Sequence, residues 1–162
     1  MTYIKSSDAR NLVAHEVLYS SITSQTISAT QVDVSGTEVQ YDVVGNIPLA
    51  QFVVYEYNIQ MLWDLSDHSA SANFELWEQT NVNDPATWSF KSDKHRVCET
   101  FAYWHNSVLA GKFLIPIYSG SRKYKIRVRS STSSNDFRLH LATTGSGTEN
   151  KIRPPIIKMY TI

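Results

Sequence analysis

Residues 52–65 read FVVYEYNIQMLWDL, with an apolar side chain at every odd position: Val53, Tyr55, Tyr57, Ile59, Met61, Trp63 and Leu65. A helix turning ~100° per residue would scatter those side chains around its circumference, whereas a strand gathers them on one face. The stretch is therefore one long strand. Its other face carries Glu56, Asn58, Gln60 and Asp64 in the middle, with Phe52, Val54 and Leu62 towards the ends. That face is expected to be partly solvated or partly covered by another chain. At ~3.3 Å per residue the run would span ~45 Å, so its ends are expected to fray or bend.

Working outward, the same period of two recurs. Val39, Tyr41 and Val43 alternate with Glu38, Gln40 and Asp42. Further on, Phe74 and Leu76 face away from Glu75 and Trp77. Tyr124, Ile126 and Val128 oppose Lys123, Lys125, Arg127 and Arg129, and in FRLHLA the residues Phe137, Leu139 and Leu141 oppose Arg138 and His140. HRVCETFAYWH (95–105) is apolar on both faces and predicts a strand buried on both sides or lying at a subunit contact. Gly111 and Pro116 mark a bend or an edge position in the run that follows. Residues 22–34 predict one strand or two short ones, and residues 143–151 a mobile loop. Residues 1–21 predict an N-terminal arm or a short helix capped by Ser7 or Asp8. Eight to ten short strands without βαβ spacing or repeats predict an all-β chain, an antiparallel β-sandwich of jelly-roll type over residues 22–162.

Composition agrees: the 162 residues include nine Tyr, six Phe and four Trp against six Gly and five Pro. The single cysteine, Cys98, excludes an internal disulfide. No basic leader with an apolar run opens the chain, and no segment approaches the ~18 apolar residues of a membrane span, so a soluble protein is expected. Net charge is zero but sorted: residues 1–89 hold two basic and eleven acidic side chains, and residues 90–162 hold thirteen basic and four acidic. Either strands from the two halves are neighbours, or an acidic face of one subunit meets a basic face of the next. The balanced total argues against nucleic acid as a partner.

Candidate chemistry is sparse. His95, Cys98 and His105 are too far apart on a single strand for a metal, Ser66, Asp67 and His68 are adjacent and cannot form a triad, and no nucleotide or protease motif occurs. Asp84 is followed by Pro85 with no second carboxylate at calcium-loop spacing. No enzyme and no cofactor is expected. Two surface features remain. Lys123, Lys125, Arg127 and Arg129 line one strand face and either protect it from stray pairing or contact an acidic subunit or anion. The aromatic density, with Trp88 beside loops 81–87 and 143–150, is the alternative: a glycan-binding module.

From about residue 37 onward, the order FLIPIYSG, a Gly turn, YKIRVR, a Ser/Thr loop, FRLHLA and a last strand after Pro resembles the trimeric jelly-roll proteins of phages and other viruses. These include capsid decoration and tail or fibre head modules and, more distantly, TNF/C1q-like sandwiches. The resemblance implies a homotrimeric virion structural protein, made in the host cytoplasm, contacting other capsid or tail proteins and in some cases a host-surface glycan. It implies no catalysis, and no catalytic residues to carry over.

Overall fold

A computed structural model describes residues 3–6, 13–16, 22–43, 50–63, 70–92, 95–99, 105–132, 137–143 and 150–162. In chain order the strands are β1 (Tyr3–Ser6), β2 (Val13–Glu16), β3 (Gln25–Ile27), β4 (Val32–Asp33), β5 (Val39–Val43), β6 (Phe52–Trp63), β7 (Ala70–Gln79) and β8 (Trp88–Phe90). There follow β9 (His95–Glu99), β10 (His105–Pro116), β11 (Gly120–Ser130), β12 (Phe137–Leu139), β13 (Leu141–Thr143), β14 (Asn150–Ile152) and β15 (Ile156–Thr161). One 3-10 turn, Pro85–Thr87, precedes β8.

The long strand β6 organises one sheet. β10 pairs with it along its whole length, from His105 opposite Trp63 to Pro116 opposite Phe52. That fills one edge, so β15 (opposite 53–58) and β12 (opposite 61–63) share the other. β2 extends the sheet beyond β15, and β3 beyond β12. The second sheet is built on β11, with β7 on one edge and β5 and β4 on the other. β9 and β8 share the far edge of β7, and β1 pairs in parallel with β5. The frame is thus β2–β15–β6–β10 facing β5–β11–β7–β9. Counted along the chain, these are the first, eighth, third and sixth strands against the second, seventh, fourth and fifth, which is jelly-roll order.

Alternation decides which side chains fill the space between the sheets. Val53, Tyr55, Tyr57, Ile59, Met61 and Trp63 are all buried, and they meet Phe74, Leu76, Tyr124, Ile126 and Val128 from the opposite sheet in one core cluster. Tyr57 needs special room. It lies directly across from Gly111, where an added Cβ would sit 2.5 Å from the Tyr57 hydroxyl oxygen and 2.8 Å from its Cζ. The ring stacks on Phe113 and hydrogen-bonds His95 Nδ1. Gly111→Ala is expected to cost about 1–3 kcal/mol through overpacking, read as a lower urea midpoint. The loss should shrink in a Tyr57→Leu background; an equal loss there would place the strain elsewhere.

The chain departs from its predicted course in three places. Residues 95–105 are not one strand: β9 belongs to the β11 sheet and β10 to the β6 sheet, with the crossing between them outside the described residues. A strand that changes sheets looks apolar on both faces although each part has one core side. FRLHLA also breaks in two, because His140 adopts a left-handed backbone (φ 61°) and is buried rather than outward. That turn carries β13 across the outside of the β6 sheet, where the Asn106 side chain and the Thr143 backbone exchange hydrogen bonds of 2.8 and 3.0 Å. Leu62, on the outer face of β6, is fully buried within this one chain. Third, β13 pairs with β14, so Thr143, Asn150 and Lys151 of the predicted 143–151 loop lie in strands, and 144–149 lie outside the described residues. In the N-terminal segment, 3–6 and 13–16 are strands rather than helix, and its other residues lie outside the described set.

Candidate functional site

The strict alternation of β11 drives Tyr124, Ile126 and Val128 into the core and leaves Lys123, Lys125, Arg127 and Arg129 on the outer face of its sheet. Lys123 Nζ lies 3.6 Å from Glu38, and Lys125 Nζ 2.8 Å from Asp33. Arg127 Nε is 3.1 Å from the other Asp33 oxygen, with its N–H not aligned for a hydrogen bond. Lys125 also sits over the Trp88 ring at 4.1 Å, and the Arg127 guanidinium over Trp77 at 4.5 Å. Beneath them Glu75 is buried, accepting from Gln31 Nε2 at 2.5 Å and from Trp77 Nε1 at 3.3 Å. Three of the four cations are thus matched by acids of the same chain, and these pairs join the acidic first half to the basic second half. Arg129 has no ion pair among the described residues.

Trp88 follows the 3-10 turn and is half-buried. With Lys125 over one face of its indole, a sugar would have only the other face to stack on. Loop 81–87 is held by its own bonds, with Asp84 Oδ1 accepting from Ala86 N at 2.9 Å and the Asp84 carbonyl from the Thr87 hydroxyl at 2.7 Å. Asp84 is a cap here. Residues 144–149, the other loop of the glycan reading, lie outside the described residues, as do Ser66, Asp67 and His68.

The outer face of the β6 sheet has a different character. Register sets Lys112, Glu56 and Lys158 in one row across β10, β6 and β15. Lys112 Nζ is 3.0 Å from Glu56 and donates to the Tyr160 hydroxyl at 3.0 Å, which itself donates to Glu56 at 3.0 Å. The Lys112 hydrogen bond, with help from Tyr160 and Lys158 and against partial burial, holds the Glu56 carboxyl below its ordinary range. Around this charged centre stand exposed apolar side chains: Val108 (55%), Leu114 (56%), Ile156 (44%) and Ile162 (55%). Among the described residues β10 pairs with β6 alone, so its other edge is open.

At one end of the sandwich a polar cluster closes the core. Glu78 points inward on β7 opposite Tyr124 and is 3% exposed. It accepts from Arg122 at 2.7 Å and Tyr124 at 2.8 Å and pairs with Lys91 at 2.9 Å. Burial raises the carboxyl, but the Arg122, Lys91 and Tyr124 hydrogen bonds outweigh it and leave Glu78 below the usual carboxylate range. This cluster was missed in the sequence because Glu78 falls on a core-facing position that its residue type disguises. Among the described residues no three His, Cys, Asp or Glu side chains form a group able to hold a metal, and no helix is long and apolar enough to cross a membrane. No family model matches the chain, and comparison with curated proteins and with solved structures finds no match.

Proposed function

We propose that the chain is a virion structural subunit, a capsid-decoration, minor-capsid or tail-fibre protein, acting by homotrimeric assembly and contact with other capsid or tail proteins. The observation that carries this reading is the set Val108, Leu114, Ile156 and Ile162, exposed together on the outer face of the β6 sheet beside an edge of β10 that pairs with no other strand among the described residues. Large apolar side chains concentrated on one face favour a subunit seam over solvent. An edge set against a neighbour's face is a head-to-tail contact, which closes only as a ring, and three copies make the smallest ring beyond a pair. Jelly rolls serve in capsids but also in lectins, so the fold supports the reading without choosing it.

Native mass spectrometry at micromolar concentration is expected to give a trimer. Leu114→Glu should raise its dissociation constant by about thirtyfold or more, since a charge replaces an apolar anchor, while the circular dichroism spectrum stays unchanged. A monomer at that concentration would overturn the proposal.

A further inference from the structure

Arg129 stands in a row with Asn73 and Arg96: β11 pairs Arg129 with Asn73, and β9 pairs Arg96 with the same residue. Strand spacing of ~4.8 Å puts the two arginine Cα atoms ~10 Å apart on one face, with the Asn73 amide between them. Neither arginine makes an ion pair among the described residues, unlike Lys123, Lys125 and Arg127 on the same face. Two residues along β7, Ser71 lies on this face too. Just past the end of β11 the chain continues alongside β7 in the same register: Ser131 N donates to the Ser71 carbonyl at 2.8 Å, and Ser71 N to Ser131 Oγ at 2.9 Å. Together they line a cavity of about 380 Å³.

Ser71 supplies the second observation. It is 2% exposed, yet its hydroxyl has no hydrogen-bond partner among the described residues. A buried polar group left unpaired costs free energy unless something enters to meet it. The cavity offers two guanidinium groups, a carboxamide and hydroxyls, all able to donate, and among the described residues no carboxylate lines it. Donors from both sides and from the floor suit a group that accepts in several directions.

We infer that this cavity is a binding site for a tetrahedral oxyanion, a phosphate or sulfate group, held by Arg96 and Arg129 across Asn73 with the Ser71 hydroxyl beneath. The guanidinium groups provide charge and paired N–H donors, and the serine hydroxyl discriminates by position. The site is independent of the assembly proposed above, because it lies on the other sheet.

The test is a titration of the ¹⁵N-labelled full chain at constant ionic strength, with inorganic phosphate, sulfate, acetate and chloride in parallel. Saturable shifts are expected at the amides of residues 71, 73, 96, 129 and 131 with phosphate or sulfate. Glucose 6-phosphate and glucosamine 6-sulfate then separate the two ester sources. Arg129→Ala and Arg96→Ala should each weaken binding about tenfold, as for a lost charge-assisted hydrogen bond, and Ser71→Ala several-fold. Lys123→Ala, on the same strand but outside the cavity, should leave it unchanged. Both arginines are exposed, so the variants keep the fold. Shifts that fail to saturate, that acetate or chloride reproduces, or that survive Arg129→Ala would overturn the assignment.

Discussion

Replacing Glu78 by alanine should lower the unfolding free energy by about 3–4 kcal/mol at pH 7, the lower part of the range for removing one partner of a buried ion pair, since Arg122 and Lys91 are each partly exposed. The cause is what remains. Arg122 and Lys91 would face each other at the end of the core without their anion, and the buried Tyr124 hydroxyl would lose its acceptor. Arg122 also packs 4.4 Å over the Tyr118 ring, so its displacement would reach the aromatic layer. For a chain of this size the loss corresponds to about 6–16 °C in melting temperature. Glu78→Gln keeps the shape and one acceptor and should cost about half as much. Urea denaturation measures both, and a loss under 1 kcal/mol in the alanine variant would mean the cluster is solvated in solution. Because the Glu78 carboxyl sits below its unfolded range, this stabilisation is complete above the ordinary carboxylate pKa and fades as pH falls through the lowered one.

The second large effect is expected on mild acidification. His140 is fully buried, and burial lowers it to about 4, with the Arg153 backbone opposing this only in part. The unfolded chain takes up a proton at the ordinary histidine pKa of about 6.5, whereas the folded chain resists until about 4. Between those values the unfolded state binds more protons. Stability therefore falls as pH drops across that window, by about 3 kcal/mol in all, and this contribution is flat above and below it. His95 is lowered in the same direction by burial and adds to the slope. Chemical denaturation at pH 7.0, 5.5 and 4.5 should show the decline. In His140→Asn, whose side chain tolerates the left-handed backbone, the slope should fall to the part left by His95 and the carboxylates. An unchanged slope in that variant would remove His140 as its source.

The two predictions rest on residues of opposite legibility. His140 sits in an alternating FRLHLA pattern that assigns it outward; only its left-handed backbone, which takes the chain out of the sheet, buries it. Glu78 continues the alternation of β7 as a core position, and its charge made the pattern look finished before it was. In the cation stripe, outward placement was readable from Lys123 to Arg129. The identity of its partners was not: Asp33 and Glu38 lie about 90 residues away and arrive through the pairing of β4 and β5 with β11.

Alternation is a local property, set by the geometry of successive Cβ atoms, and by itself it determined the all-β class and the buried faces of β6 and β11. Which strands lie side by side depends on packing between segments far apart in the chain, and only the tertiary structure decided it. That is why the row Arg129–Asn73–Arg96, with Ser71 beside it, has no signature in the sequence: its members come from three strands, and register alone brings them to one cavity.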